Sequence, residues 1–351
     1  MAITLSLSLP QPTTQLHLGH GLLESDLLTS LCEGHRIALV ADEALETLYA
    51  APLAARLGAD LFLIPSGEKA KTEEAKQRLI EQLLEKKHDR NTLLLALGGG
   101  TTTDLVGFVA SIYLRGVPLI LIPTTLLAMV DASIGGKTAI NTPFGKNLLG
   151  TLYYPKAVVA DLNTLQTLSP QERLNGLAEI VKMGLIADAT ILEEQSFSSL
   201  IEKAIRAKIS IVEQDPTERG LRRILNFGHT IAHALETVSN YQMPHGQAVA
   251  IGCAVESYLS HTLGYLSATD LARIPRISVS LPKNYQRQAL LEAMKRDKKN
   301  RQGSIRFVLI DQIGRAFPFD GDYCRSVNEK ELEPALDWME ENSLDKSEFF
   351  P

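Results

Sequence analysis

Short apolar runs alternate with amphipathic stretches through the first half of the chain. Continuous apolar segments predict four buried strands, at residues 35–42, 59–65, 91–100 and 117–123. Helical periodicity predicts two helices among them, at residues 72–87 and 102–114. Wholly apolar strands that alternate with helices are typical of a parallel sheet covered on both faces. The first half is therefore predicted to be an α/β domain of a type that often binds nucleotides, although a fold alone does not establish a function.

The second half shows mainly helical periods and a clear helix start. Ser169 is placed to be an N-cap, Pro170 takes the first helical position, and Glu172 completes a capping box. Helical stretches follow over LNGLAEIVKMGLIAD and at residues 190–214, 221–240, 246–264, 286–296 and 329–342. Because 351 residues exceed one ordinary core, this change of pattern predicts two domains, residues 1–168 and residues 169–351.

Composition and charge narrow the classes of function. The chain is 45% hydrophobic with a net charge of −6, which argues against a general nucleic-acid binder. Cys32, Cys253 and Cys324 form no CxxC pair, which favours a reduced compartment and disfavours a cysteine-ligated zinc site. The first residues lack a signal-peptide pattern, and no apolar run approaches the ~18 residues of a membrane helix. We therefore expect a cytoplasmic protein that binds neither nucleic acid nor membrane.

Two glycine-containing segments could approach a phosphate. LALGGGTTTD (95–104) is a predicted strand that enters glycines and then a helix, and the N-terminus of a helix favours negative charge. PSGEKAK (65–71) is the second segment. The Rossmann fingerprint is not met, because Thr103 stands where its last glycine is required. A phosphate site and a plain tight turn stay equally open, and Asp104 could simply stabilise the helix dipole.

The segment IPTTLLAMVDASIGGKTAINTPFGKN (122–147) is predicted to be a long loop. Its GGKT is not a P-loop, because Asp131 occupies the position of the required upstream glycine. An exposed surface loop is one interpretation. Loops this long inside a domain are usually functional or disordered, and this one has too many apolar residues for disorder. A site for a phosphorylated or carboxylated ligand is favoured.

LNFGHTIAHALE (225–236) carries two histidines four residues apart. HTIAH is not the HExxH of a zinc protease, since Thr230 replaces the glutamate. Arg222, Asn226, His229 and His233 would form one polar stripe on a single helix, unless Gly228 breaks the period. Such a stripe, with no Glu–Lys pairs, suits a lined cleft better than a solvated face. Glu236 is interpreted as an acid on the helix surface.

A possible metal site includes a residue of the capped helix. Glu179 and Lys182 lie three residues apart, and in isolation such a pair is usually an ion pair at the surface. Together with His229 and His245, however, Glu179 could form the His₂Glu set of a catalytic zinc site.

From about Pro65 to Gly314 the chain resembles the 3-dehydroquinate synthase family. The resemblance rests on an ordered set of motifs, PSGEKAK, GGGTTTDLVGFVASIYLRG, PTTLLAMVDASIGGKTAINTPFGKN, GLAEIVKMGLI, LNFGHTIAHALE, HGQAVAIG and KRDKKN. It implies an N-terminal Rossmann-like NAD-binding α/β domain and an all-α C-terminal domain for metal and substrate. It places the active site in the cleft between them. It also implies catalytic NAD, a divalent metal (zinc most often, with cobalt as an alternative), and a homodimer.

The activity implied by the resemblance belongs to the shikimate pathway of aromatic amino acid biosynthesis. The phosphorylated sugar acid 3-deoxy-D-arabino-heptulosonate 7-phosphate becomes 3-dehydroquinate and phosphate. A hydroxyl is oxidised transiently by NAD, phosphate is eliminated, and the ketone is reduced again. The ring then opens and closes by an aldol reaction. The substrate's own phosphate would act as base, and His233 would position it or a water molecule.

The resemblance assigns residues one by one. The metal ligands it implies are Glu179, His229 and His245. The NAD contacts it implies are Asp42, Ser66, Gly67, Glu68, Lys71, Gly99, Gly100, Thr103, Asp104, Thr124, Thr125, Lys137, Lys146, Thr164 and Thr167. The catalytic and substrate residues it implies are Asp131, Lys137, Asn147, Lys182, Lys208, Arg222, Asn226, His233 and Lys298, with Arg115 reaching the phosphate from a neighbouring subunit.

The sequence departs from the family motifs at a few positions, and three other functions were compared with the one that the resemblance implies. Ala44 replaces the asparagine that family members often carry two residues after the aspartate matched by Asp42, and threonines replace two residues of the glycine motif. A sister sugar phosphate cyclase would share fold, NAD and metal, but Asn226 and His233 are both present and favour the shikimate enzyme. A metal-dependent alcohol or glycerol dehydrogenase is disfavoured by the cationic set. An inactive scaffold is disfavoured by the complete metal set.

Overall fold

The chain divides into two compact units, Met1–Arg173 and Leu174–Pro351. The computed structural model describes residues 3–7, 13–274, 280–296 and 304–342. The division lies inside a helix, slightly after the boundary at residue 168 that the sequence pattern suggested. In the described part of the chain, no helix combines the length and apolarity that crossing a membrane requires.

A seven-stranded sheet forms the centre of the first unit. The strands of this unit are β1 (Ile3–Leu7), β2 (Thr14–Gly19), β3 (Arg36–Asp42), β4 (Asp60–Ile64), β5 (Thr92–Gly98), β6 (Leu119–Pro123), β7 (Lys137–Thr142), β8 (Gly145–Leu152) and β9 (Ala157–Asp161). The strand order is β1-β2-β9-β6-β5-β3-β4, and all neighbours are parallel except β1 and β2. Strands β5, β6 and β9 are buried along their whole length, as a sheet covered on both faces requires.

The helices of the first unit confirm the predicted alternation. They are α1 (Asp26–Cys32), α2 (Ala51–Leu57), α3 (Glu73–Glu85) and α4 (Gly100–Ile112). The chain leaves β3 for β4 on one side and returns to β5 on the other, so the order reverses between β3 and β5. In open α/β sheets, ligands bind outside the carboxyl ends of the strands at such a reversal.

The predicted long loop at residues 122–147 is wrong. One helical turn occupies Ala128–Ala132, and β7 and β8 then pair as an antiparallel hairpin. The hydroxyl of Thr138 lies 2.9 Å from that of Thr151, across the hairpin. At Gly150 a Cβ atom would lie 1.9 Å from the carbonyl oxygen of Thr138, so the close pairing of the strands requires glycine there. The alternation of polar and apolar residues in β7 and β8 is too irregular to predict strands. The sequence pattern also did not predict β1, β2 and β9.

The second unit is mostly helical. Its helices are α5 (Pro170–Ile186, which begins before the division), α6 (Phe197–Gln214), α7 (His229–Val238), α8 (His245–Thr262), α9 (Ala268–Arg273), α10 (Arg287–Lys295) and α11 (Glu329–Asn342). Its strands are β10 (Ile305–Phe307), β11 (Ile310–Gln312), β12 (Arg315–Ala316) and β13 (Arg325–Val327), which form two short antiparallel pairs. The fold class is confirmed, and these pairs are an addition that the helical pattern did not predict.

The start of α5 follows from its sequence. The backbone N–H of Glu172 donates a 3.2 Å hydrogen bond to the hydroxyl of Ser169, as predicted for an N-cap. Pro170 is the first helical residue, where a missing N–H carries no cost. The helix continues to Ile186 and buries Glu179 and Lys182.

The predicted single helix at residues 221–240 is wrong. Leu221–Asn226 forms a 3₁₀ turn, Gly228 adopts a left-handed conformation with φ of 79°, and α7 begins at His229. A Cβ atom at Gly228 would lie 2.7 Å from the Sγ of Cys253 on α8. Close packing against α8 therefore holds the break in place. Likewise, the predicted helix at residues 190–214 begins only at Phe197.

Candidate active site

Three helices of the second unit bring the predicted metal ligands together. Glu179 lies on α5, His229 opens α7 and His245 opens α8. The Oε1 atom of Glu179 lies 3.5 Å from Nε2 of His229 and 3.3 Å from Nε2 of His245. The three ligand atoms all lie within 4.8 Å of one another. One carboxylate oxygen and two imidazole nitrogens that converge on one point fit the open three-ligand site of a catalytic zinc ion.

Each histidine directs its other ring nitrogen to an acceptor. Nδ1 of His229 lies 3.1 Å from the carbonyl oxygen of Phe227. Nδ1 of His245 lies 3.3 Å from Oε1 of Glu236. A neutral imidazole that donates from Nδ1 keeps its lone pair on Nε2, which is the atom directed toward Glu179. For a neutral ring, the acceptor at each Nδ1 therefore favours the tautomer that a metal site needs.

The interpretation of Glu236 as an acid on the helix surface is wrong. The residue is only 7% exposed, and its carboxylate contacts His245. The sequence held a signal that could have identified it, because Glu236 follows His229 by seven residues and so lies on the same face of α7. Its partner His245 lies on α8, so the contact is seen only in the tertiary structure.

The alternative of an ion pair at the surface, open for Glu179 and Lys182 in isolation, does not hold in the structure. Each residue is only 1% exposed, and the Lys182 ammonium forms an ion pair with Oε2 of Glu179. Burial alone would raise the pKa of Glu179, but Lys182 and His229 outweigh it and hold the pKa well below its usual value. Glu179 is therefore ionised and available as a ligand at neutral pH.

The two histidines differ in protonation. Burial and the nearby charge of Lys182 lower the pKa of His229 to about 4, so this ring is neutral at physiological pH. Burial would also lower the pKa of His245, but hydrogen bonds to Glu179 and Glu236 outweigh it and raise the pKa to about 10. Since only a neutral ring can ligate a metal, a metal ion and a proton compete for His245.

The N-terminus of α7 is anchored from α8. The backbone N–H of Gly228 donates a 2.7 Å hydrogen bond to Oε2 of Glu256, which is fully buried. On α8, a Cβ atom at Gly252 would lie 1.9 Å from the carbonyl oxygen of Gly228. The backbone around His229 is thus held by a carboxylate and by direct helix–helix contact.

Other predicted substrate residues of the second unit have mixed surroundings. His233 is exposed, and its ring centroid lies 5.3 Å from that of His229. Arg222 is 1% exposed and donates to the carbonyl oxygen of Pro216 at 2.7 Å. Asn226 donates to Oε1 of Glu218 at 2.7 Å. Lys208 is buried on α6, and Lys298 lies outside the described residues.

Predicted NAD contacts in the first unit follow the carboxyl ends of its strands. Asp42 ends β3, Ser66 follows β4, Gly99 follows β5, and Thr124 follows β6. The Oδ1 atom of Asp42 accepts hydrogen bonds from the hydroxyl of Ser66 and, at 2.9 Å, from the backbone N–H of Ala44. These ends surround the reversal between β3 and β5, where a nucleotide would bind.

The first turn of α4 has no side-chain cap. Gly99 is its N-cap and, having no side chain, provides no capping hydrogen bond to the free N–H groups. A Cβ atom at Gly99 would lie 3.2 Å from the Cγ2 of Thr125, and one at Gly100 would lie 3.2 Å from the Cβ of Ala132. Glycines here let α4 begin close to Thr125 and Ala132, and the positive end of the helix favours an anion.

Asp104 belongs to a polar cluster and not to the first turn of α4. Lys71, which is 4% exposed, donates to Oδ2 of Asp104 at 2.7 Å and also to Asn147. Burial raises the pKa of Asp104, although Lys71 opposes that shift. Asn147 adopts φ of 55°, and its backbone N–H donates to Asn141 at 3.1 Å. The structure thus joins two predicted NAD residues to Asn147, which was assigned to the substrate.

The remaining predicted residues of the first unit are placed as follows. Glu68 accepts a 2.5 Å hydrogen bond from Asn141, while the Thr167 hydroxyl lies 2.8 Å from that of Tyr49. Thr164 is buried and donates to the carbonyl oxygen of Asp161. Thr103 is also buried and donates to the carbonyl oxygen of Gly100. Gly67 and Asp131 lie in short helical turns, and Lys137 and Lys146 lie in the hairpin of β7 and β8. Arg115 follows α4, is exposed and adopts φ of 70°.

Comparison with known proteins agrees with this arrangement. The sequence-family model described as 3-dehydroquinate synthase N-terminal matches residues 61–175, and the one described as 3-dehydroquinate synthase C-terminal matches residues 176–300. A 3-dehydroquinate synthase of Campylobacter concisus is 44% identical over 73% of this chain and 78% of its own. One of Nitrosomonas europaea is 42% identical over 87% and 89%.

A solved structure resembles the whole fold. It is the 2-epi-5-epi-valiolone synthase ValA from Streptomyces hygroscopicus, with NAD⁺ and Zn²⁺ bound. It is 28% identical, covers 95% of this chain and 98% of its own, and has a TM-score of 0.82. The identity is lower than that to the two 3-dehydroquinate synthases.

Proposed function

The chain belongs to the 3-dehydroquinate synthase family, and we propose that it converts 3-deoxy-D-arabino-heptulosonate 7-phosphate to 3-dehydroquinate and phosphate, with NAD and a divalent metal ion. The observation that carries the proposal is the convergence of Glu179, His229 and His245. The ligand set suits zinc, which is the ion that ValA binds, and cobalt stays the alternative.

The residues of the second unit would bind the metal ion, bind the substrate and assist proton transfer. Glu179, His229 and His245 would hold the ion, which when bound supplies a Lewis acid for the hydroxyl that is oxidised. Lys182, buried beside Glu179, offers a cation to an anionic group of the substrate. His233 is exposed next to His229 and would orient the substrate phosphate or a water molecule during proton transfer.

The first unit would bind NAD at the carboxyl ends of β3, β5 and β6. Asp42 can accept from a ribose hydroxyl, and the open first turn of α4 can receive the pyrophosphate. Ala44 supplies only its backbone N–H to Asp42, so a side-chain contact from that position is absent. Lys71, Asp104 and Asn147 form the polar cluster that would face the reacting end of the cofactor.

The proposal extends to the oligomeric state and the location of the protein. We propose a homodimer in which the exposed Arg115 reaches the substrate phosphate of the neighbouring subunit. We also propose a cytoplasmic location, with which the buried thiols Cys32 and Cys253 are compatible.

The test is an assay of phosphate release from the heptulosonate phosphate by the purified protein. We expect release that depends on NAD in catalytic amounts and stops when a chelator removes the metal, because the cofactor is regenerated in each cycle. Accumulation of NADH without phosphate release would instead identify a dehydrogenase. Release from a different sugar phosphate alone would identify a sister cyclase.

A further inference from the structure

Glu236 occupies a position next to the metal site that the function proposed above leaves unused. Its carboxylate lies 3.3 Å from Nδ1 of His245, on the side of the ring opposite Glu179. We propose that Glu236 is a positioning residue, which orients His245 for the metal ion without itself being a ligand. The proposal rests on the proposed function, since it presupposes that His245 binds metal.

His245 needs an external partner more than His229 does. Nδ1 of His229 is held by the carbonyl oxygen of Phe227, two residues away on the same backbone, and its side chain is 13% exposed. The side chain of His245 is 33% exposed, and it lies on the first residue of α8. A ring at that position can rotate or change tautomer unless Nδ1 has a fixed acceptor, and in metal sites that acceptor is commonly a carboxylate.

Glu236 is itself held firmly enough to serve as that acceptor. It is 7% exposed in the last part of α7. Its backbone carbonyl accepts hydrogen bonds from the hydroxyl of Ser239 at 2.9 Å and from the N–H of Tyr241 at 2.7 Å. The carboxylate thus projects from a fixed backbone, and α7 supplies both a ligand and the residue that orients a ligand on α8.

The charges around the site also favour a carboxylate at this position. Lys182 forms an ion pair with Glu179 and neutralises the only anionic ligand. The two imidazole rings carry no charge when they bind a metal. Within this group of residues, Glu236 therefore supplies the net negative charge that a divalent cation prefers nearby.

The experiment measures Zn²⁺ affinity of the metal-stripped full chain by competition with a chromogenic chelator. We expect Glu236→Ala to bind Zn²⁺ about 10- to 100-fold more weakly than the unaltered protein. Glu236→Gln should recover part of this loss, because its amide oxygen can still accept from Nδ1 although the charge is gone. The free-energy difference between the metal-free folded and unfolded states is measured for each variant by denaturant unfolding.

Ser239→Ala is the matched control. It removes buried hydrogen bonds from the same turn, including one to the backbone of Glu236, but touches neither the carboxylate nor a ligand. We expect it to lower unfolding stability while leaving Zn²⁺ affinity within about threefold. Unchanged affinity in Glu236→Ala, no recovery in Glu236→Gln, or an equal loss in Ser239→Ala would each overturn the proposal. Failure of the unaltered chain to bind Zn²⁺ would instead refute the metal site itself.

Discussion

The histidines of α7 differ in what surrounds them, although they lie one helical turn apart. His229 is mostly buried, and its Nε2 is directed toward Glu179, while His233 is exposed and its ring centroid lies 5.3 Å from that of His229. Their spacing alone would equally allow a paired-histidine metal site. The proposed division of roles, which the family resemblance implied, is supported by the position of Glu179 and His245 beside His229 on other helices.

This division predicts different effects of alanine at the three histidines. His229→Ala and His245→Ala should each lose bound metal, because two protein ligands hold a divalent ion far less tightly than three. His233→Ala should keep its metal and lose about 10²- to 10⁴-fold in rate, as expected for a group that assists proton transfer. Metal content per chain and the rate of phosphate release are the measurements. Metal loss in His233→Ala equal to that of the other two variants would refute the division.

At the scale of elements, the contact between α7 and α8 places the site. Gly228 is the N-cap of α7, and Gly252 on α8 leaves space for the Gly228 carbonyl. The sequence indicated that Gly228 could break the helix, but its left-handed conformation and its hydrogen bond to Glu256 depend on a partner more than twenty residues away. Local pattern could not reveal that partner.

Gly252→Ala tests this contact. The new methyl group would lie 1.9 Å from a backbone oxygen, so the helices must separate, and we expect a loss of about 1–3 kcal/mol in unfolding free energy. Gly184→Ala on α5 is the matched control, since its methyl group would meet the side chain of Leu192, which can move more readily than a backbone oxygen. Denaturant unfolding of both variants is the measurement. Equal stability of Gly252→Ala and the unaltered chain would show that the contact is not tight.

At the scale of the whole molecule, the proposed homodimer requires Arg115 to act across subunits. Arg115 follows α4 in a left-handed conformation and is exposed, so its own chain leaves the guanidinium available. An arginine is well suited to phosphate, which it can bind through two parallel hydrogen bonds.

Subunit complementation tests the dimer. Arg115→Ala and His229→Ala should each be nearly inactive alone. Equal mixing with subunit exchange should restore about one quarter of the activity, because half of the dimers are mixed and each contains one intact site. Phosphate release before and after mixing is the measurement. No recovery would mean that Arg115 serves its own chain or that the chain does not form exchanging dimers.

The sequence by itself determined the fold class, the family and the alternation of strands and helices in the first unit. Those properties depend on local periodicity and on the order of motifs, both of which are contained in the sequence. The structure and the comparisons confirm them. It also predicted the ligands Glu179, His229 and His245, which the structure brings within 4.8 Å. The roles of the individual NAD and substrate residues stay predictions.

Only the tertiary structure decided the surroundings of those residues. The burial of Glu179 with Lys182, the contact of Glu236 with His245, and the hairpin of β7 and β8 all join positions whose partners lie on other elements or in irregular strands. Hydrophobic periodicity reports which face of an element is buried, but not which element covers it. An acid such as Glu236 therefore looks like a surface residue until α8 is packed beside it.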